Sequence, residues 1–111
     1  RAGWLLDYND PSNTLDLLRK GVQQGDTMNW GNNYGRYNNP KFDELMDKAA
    51  NTLDLTERAG YLHEAEKLAM DELAAIPIYW YVSKNVVSPK ISGFSANTKD
   101  INRVRWMSKS E

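Results

Sequence analysis

Apolar residues recur along this chain with two different periods, and the change of period divides it. Phe42, Leu45, Met46 and Ala49 fall at i, i+3, i+4 and i+7, the stripe of an amphipathic helix, and Pro40 suits its first turn, where no N–H is missed. A second helical stripe runs through Ala59, Leu62, Ala65, Leu68 or Ala69, and Leu73. It begins at Asp54, with Glu57 three residues on as a capping-box partner. Gly60 lies inside this helix at a cost of about 1 kcal/mol relative to Ala, so close packing against a neighbour is expected there. From Ala75 the pattern turns β-branched and aromatic. Ile76-Pro77-Ile78-Tyr79-Trp80-Tyr81-Val82 reads as a strand with Pro77 at its start or on an edge. Ser83-Lys84-Asn85 reads as a turn into a short strand at Val86-Val87. Pro89 and Gly93 interrupt the next stretch, and a last short strand is expected near Val104 to Met107.

Ahead of the helices, Ala2 to Tyr8 is short and apolar, consistent with a buried strand or extended segment. Asn9-Asp10-Pro11-Ser12 then carries the chemistry of a helix start, with Asp10 as cap and Pro11 in the first helical position. Leu15, Leu18 and Val22 follow at helical spacing, and Gly21 and Gly25 end that helix. Gly25 to Asn39 holds six Asn or Asp positions and three Gly without an apolar period, which predicts a long turn-rich loop that is functional or pinned from outside itself. The expected class is α/β or α+β: a strand, three helices, then two or three strands.

Composition narrows what such a chain can do. At 111 residues, 41% hydrophobic and 26% charged, it has enough material for one small domain of ordinary globular composition. Fourteen basic residues against fifteen acidic ones leave no basic field for nucleic acid. The longest apolar run, Ala74 to Val82, is too short to span a bilayer and contains Pro77. Without cysteine there is neither a disulfide framework nor a thiolate metal site. The chain starts at Arg1 with no signal peptide ahead of it, close to an apolar Trp4-Leu5-Leu6 run that reads like the end of a strand, so a fragment of something longer is expected.

Catalytic and metal chemistry find little support. His63 and Glu66 form an H-x-x-E pair by themselves, too few ligands for zinc, and an exposed helical histidine is the simpler reading. No G-x-S-x-G turn, P-loop or G-x-G-x-x-G follows a predicted strand. Asp7 and Asp10 are close enough in sequence for a hydrolase's carboxylate pair, but capping explains Asp10. Asp7 remains: a carboxylate directly after an apolar segment needs a cation, either an internal salt-bridge partner or the cationic group of a ligand. Four Trp and six Tyr form the other unusual feature. In Tyr79-Trp80-Tyr81 the two Tyr share one strand face, which suits either core packing or the wall of a ligand pocket.

In sequence order, Arg1-Ala2-Gly3-Trp4-Leu5-Leu6-Asp7-Tyr8-Asn9-Asp10-Pro11, Tyr37-Asn38-Asn39-Pro40-Lys41-Phe42-Asp43, Arg58 with Glu64-Ala65-Glu66, Ile76 through Val82, and Val86 through Phe94 resemble the C-terminal end of the extracytoplasmic solute-binding proteins that serve oligopeptide, dipeptide and related importers. The resemblance covers nearly the whole chain. It implies the C-terminal portion of a bilobed periplasmic receptor, not an enzyme and without a cofactor, that closes over an extended oligopeptide and delivers it to the membrane permease of an ABC importer. In such receptors the aspartate of the G-W-x-x-D-Y motif pairs with the peptide's α-ammonium group, and that position is Asp7. Gly3, Trp4 and Leu5 would lend backbone hydrogen bonds as an added strand, with Trp4 walling a side-chain pocket. Arg1 would face the peptide's carboxylate, and Tyr81 and Tyr79 would face the ligand from the other lobe. Leu6 stands where a small Ala is common, which narrows the pocket beside Asp7. The D-Y-N-D-P form is closer to oligopeptide binders than to dipeptide or nickel binders; a murein peptide, a dipeptide, a metal chelate or an oligosaccharide remain alternative solutes, as does an interaction fragment without a small ligand. The resemblance also divides the chain: residues 1–75 would belong to one lobe and residues 76–111 would cross a hinge to the other. A piece so divided is expected to repack, to associate with a second copy, or to survive from a proteolysed parent.

Overall fold

Asn39 and Pro40 start the first long helix, α2 (Pro40–Asn51). The Asn39 side chain accepts from the N–H groups of Lys41 at 2.9 Å and Phe42 at 3.4 Å, which satisfies two of the donors that a helix start leaves open. Thr52, Leu53 and Asp54 then lead into α3 (Leu55–Asp71), and the Asp54 carboxylate accepts from Thr56 and Glu57 in the same way. So short a connection makes the helices antiparallel neighbours, and they pack on each other along their apolar stripes. The stripe of α2 is buried as its spacing predicts.

That of α3 differs in detail. Leu62, Ala65 and Ala69 are buried, but Ala59 and Leu73 are exposed. The buried face follows i, i+4, i+7 and i+11, which selects half-buried Arg58 over Ala59, while Leu73 lies past the helix end with a positive φ of 54°. Gly60 faces open space, so the close neighbour expected there is absent among the described residues. The Glu57 carboxylate takes the Tyr61 hydroxyl at 2.8 Å instead of closing a capping box.

The first predicted helix is shorter than its spacing suggests. One α turn, α1 (Ser12–Leu15), runs into a 3₁₀ turn at Asp16–Leu18, and Arg19 is already extended. Asp10 caps it through its carboxylate, 2.9 Å from the Ser12 N–H. Val22, expected at a helical position, is 69% exposed and opens β1 (Val22–Gln24), which pairs antiparallel with β2 (Thr27–Asn29). The glycines expected as helix stops serve this hairpin instead. Gly25 supplies the positive φ of its two-residue turn, and a Cβ on Gly21 would lie 2.2 Å from the Asn29 carbonyl oxygen. Thus part of the predicted loop is a hairpin; the remainder is pinned, as expected, by buried Asn33.

The computed structural model describes residues 7–79, 82–97 and 100–110, and together they form the mixed helix-and-strand structure expected. The chain divides into two compact units, Arg1–Pro77 and Ile78–Glu111. The core of the first consists of Leu15, the α2 stripe and the small-residue face of α3, with Tyr37 and Leu18 packed at its margin. The second is held by β3 (Ile91–Ser92) against β4 (Ser108–Lys109), with Ser92 and Ser108 hydroxyls 2.6 Å apart.

Three strand predictions are corrected. Residues 75–79 and 82–88 form no strand, and Ile76, Ile78 and Val86 are exposed. A β-branched sequence becomes a strand only where a ladder and a packed face receive it. Val104–Trp106 is a 3₁₀ turn, and the strand begins just past the predicted segment, at Ser108. The apolar stretch Ala2 to Leu6 lies outside the described residues, while Asp7 and Tyr8 form a bend.

Candidate ligand-binding segment

Of the contacts named from the sequence, Arg1, Gly3, Trp4, Leu5 and Tyr81 lie outside the described residues. Asp7 belongs to the first unit and Tyr79 to the second. Asp7 is exposed, and Tyr79 is 59% exposed.

A closed set of short-range bonds holds the backbone that carries Asp7. Its N–H donates to Asn13 Oδ1 at 3.3 Å, and Asn13 is buried although it sits in the first turn of α1. The Asp10 N–H donates to the Tyr8 carbonyl at 3.1 Å, and the Asn13 N–H to the Asp10 carbonyl at 3.0 Å. The Tyr8 and Ser12 hydroxyls are 3.3 Å apart. Residues 7–13 thereby fold back on the start of α1.

From outside this segment comes Arg58 of α3. Its Nη1 lies 2.6 Å from Asp10 Oδ2 and its Nη2 2.9 Å from Oδ1, a bidentate fork on a half-buried carboxylate that also caps Ser12. Sequence reasoning gives Asp10 its capping role but has no means of pairing it with a residue 48 positions away. The guanidinium hydrogen bonds, and the cap bonds after them, hold the Asp10 carboxyl well below the usual carboxylate range against the opposing effect of burial.

That shift fixes a pH dependence. A depressed carboxylate pKa means that the unfolded chain binds the proton more readily, so the stabilisation is present above about pH 4 and erodes as the pH falls toward the lowered folded value. Urea midpoints measured from about pH 5 down to about pH 2.5 are expected to fall more steeply for the wild type than for D10N, which keeps the cap and loses the charge. Parallel profiles would remove Asp10 from the acid response.

Two further polar clusters have structural roles. Tyr37 donates to Glu72 Oε2 at 2.6 Å, and Asn39 Nδ2 donates to both Glu72 oxygens at 2.9 Å, which ties the start of α2 to the end of α3. Burial and the adjacent Glu72 carboxylate push the Tyr37 phenol up to about 12, so it remains a donor at neutral pH. An open groove along α2 is lined by Lys20, Asp43, Glu44, Asp47, Lys48 and Asn51, but its acidic side is already engaged. Arg19 pairs with Asp47, Lys48 with Glu44 at 2.6 Å, and Asp43 accepts from the Lys20 N–H at 3.2 Å. Among the described residues no three His, Cys, Asp or Glu side chains converge on a metal position, and no helix is long and apolar enough to cross a membrane.

No family model matches the chain. Individual proteins do. It is 38% identical over 93 residues to the oligopeptide-binding protein OppA of Bacillus subtilis, a match covering 84% of this chain and 16% of that protein. With the periplasmic murein peptide-binding protein MppA of Escherichia coli it shares 31% identity over 100 residues, 90% of this chain and 17% of the relative. The structure of the murein tripeptide-binding protein MppA in its unliganded open form superposes with a TM-score of 0.71 at 30% identity, over 97% of this chain and 20% of that one. The chain thus spans about a sixth of the length of the curated relatives it matches. In sequence and in fold alike, it belongs to the family of extracytoplasmic solute-binding proteins that contains these peptide receptors, as a segment of that length.

Proposed function

We propose that this chain contributes to the receptor of an ABC-type peptide importer, working in the periplasm and binding extended oligopeptides through their free amino terminus. The observation that carries this reading is the exposed Asp7 carboxylate, on a backbone fixed by Asn13 and by the Asp10 turn, within a chain 38% identical to an oligopeptide-binding protein. A carboxylate fixed before the ligand arrives costs no ordering on binding, and a cleft that closes over it strengthens its attraction for an ammonium group. Backbone bonds from residues 3–5 would then take any side chain, which suits a receptor that gathers peptides of mixed sequence. The membrane permease of the importer is the partner to which such a receptor delivers its ligand.

Residues 1–75 are assigned to one ligand-binding lobe and 76–111 to a crossing into the other, where Tyr79 and Tyr81 would meet the ligand. The exposure of Ile76, Ile78, Val82 and Val86 supports this: these side chains suit a sheet supplied by further polypeptide.

Calorimetric titration of the full-length polypeptide that carries this chain tests the reading, using tri- to pentapeptides with free and with N-acetylated amino termini. A charge-assisted bond to a closed-in ammonium group predicts that acetylation weakens binding by at least about tenfold, and that D7N removes the difference. Equal affinity for both pools would overturn the amine anchor. The likeness to a murein tripeptide-binding protein supports a second reading, in which murein-derived peptides in the same titration bind more tightly than the mixed pool.

A further inference from the structure

We infer that Arg58 is a positioning residue for peptide binding: by clamping Asp10 it fixes the turn that aims the Asp7 carboxylate at the ligand's amino group. The inference rests on the amine-anchoring reading of Asp7. Arg58 itself lies on α3, distant in sequence from the segment that would touch peptide, and its part is indirect.

The geometry is a relay of short bonds. Arg58 grips both oxygens of Asp10, at 2.6 and 2.9 Å, so the carboxylate cannot rotate without breaking the fork. The same carboxylate receives the Ser12 N–H at 2.9 Å, which fixes the entry to α1. The backbone of Asp10 receives the Asn13 N–H and donates to Tyr8, so its placement sets both neighbours. Asn13, held in this turn and buried, accepts the Asp7 N–H. The turn from Asp7 to Asn13 is therefore referred to one carboxylate, and that carboxylate to one guanidinium on a helix packed in the core.

Capping alone does not require this arrangement. Asp54 and Asn39 cap α3 and α2 by bonds to the following N–H groups, with no arginine behind either acceptor oxygen among the described residues. Asp10 caps a single turn of helix, yet it receives the bidentate arginine. What distinguishes this turn is the aspartate three residues upstream. A binding carboxylate must be held to within about 0.5 Å of its working position, and this is done by groups behind it whose own geometry is locked.

The test uses the full-length polypeptide and reads the ratio of affinities for free and N-acetylated peptides, with thermal unfolding measured on the same preparations. R58A is expected to weaken free-peptide binding by about tenfold, by analogy with metal sites, where removing the group behind a ligating residue costs about that much or more. Binding of acetylated peptides should change little, so the ratio collapses. R58K, which keeps the charge but not the fork, should restore part of the ratio. If R58A does not fold, R58Q at reduced temperature serves in its place, with the same expected collapse. A ratio unchanged from wild type, whatever the loss of thermal stability, overturns the positioning role and leaves Arg58 a structural ion pair. A wild-type ratio near one overturns the amine anchor itself, and the positioning role with it. A wild-type ratio that D7N abolishes and R58A spares overturns the positioning role alone.

Discussion

F42A is expected to lower the unfolding free energy of the helical unit by about 3–5 kcal/mol, more than any other single truncation of its core. Phe42 is 0% exposed and is the largest side chain so enclosed among the described residues. Its ring meets Tyr37 edge to face, with centroids 5.4 Å apart and planes at 78°. The positions around it offer little to refill the space. Ala49, Ala65 and Ala69 are already at their smallest, and Leu45 and Met46 are committed to the same interface. The loss also extends to Tyr37, whose ring packs on Phe42 while its hydroxyl holds Glu72. Urea unfolding followed by far-UV circular dichroism gives the number, with L53A as control, since Leu53 is 98% exposed and its loss should fall within about 0.5 kcal/mol of zero. A cost below about 1 kcal/mol for F42A would mean that the two helices close over the gap.

How far this structure is legible in its sequence depends on how local each determinant is. Helices α2 and α3 announce themselves because start signals and apolar stripe lie in nearby residues: Pro40 ahead of Phe42, and Asp54 ahead of Leu62. The hairpin escapes a local reading for the opposite reason. Val22 continues the spacing of Leu15 and Leu18, and nothing local tells a glycine that stops a helix from one that admits a crossing carbonyl; the Asn29 oxygen beside Gly21 is a tertiary fact. Ile76 to Val82 carries the strongest β composition in the chain, yet its described residues form no strand, because composition marks what a sheet would accept without supplying the sheet.

The site divides along the same line. Asp7 stands out as a carboxylate with no local account, and the resemblance gives it a role. Asp10 is fully explained by its cap, so nothing in the sequence asks for a second partner. Arg58 is among the residues that carry the resemblance, but its role is not legible there: an arginine on a helix has many ordinary uses, and only the approach of α3 to the turn shows which one it has. Asn13 is equally silent: inside a one-turn helix an asparagine reads as weak propensity, whereas here it is buried and bonded to the Asp7 backbone.

Asn33 is the other residue whose importance is invisible in sequence, and its replacement is the second large effect expected. Only 2% exposed, it donates from Nδ2 to the carbonyls of Leu18 at 3.2 Å, Arg19 at 3.0 Å and Tyr37 at 2.8 Å, and accepts the Tyr37 N–H at 3.0 Å. Leu18 and Arg19 end the first helical segment, where carbonyls lose their partners within the helix, so one amide does for that end what a cap does for the start. At the same time it sets the loop that delivers Tyr37 to the core and Asn39 to α2. N33A leaves these groups to whatever water can enter, and each buried polar group without a partner costs about 1–3 kcal/mol; shared relaxation keeps the total to about 2–4 kcal/mol. N33D separates the bonds from the space, since it is nearly isosteric and keeps an acceptor for the Tyr37 N–H. It loses both donors and turns a carboxylate toward three carbonyl oxygens, so at neutral pH it should destabilise at least as much as N33A. Its proton would be held more tightly in the folded state than in the unfolded one. The N33D protein should therefore regain stability relative to N33A as the pH falls from about 7 toward the ordinary carboxylate range of about 4, and lose it again on raising the pH. Urea midpoints of the two variants across that interval decide the point. Converging curves establish the donor bonds as the stabilising element, whereas N33D stability equal to wild type at neutral pH would show that filling the space is enough.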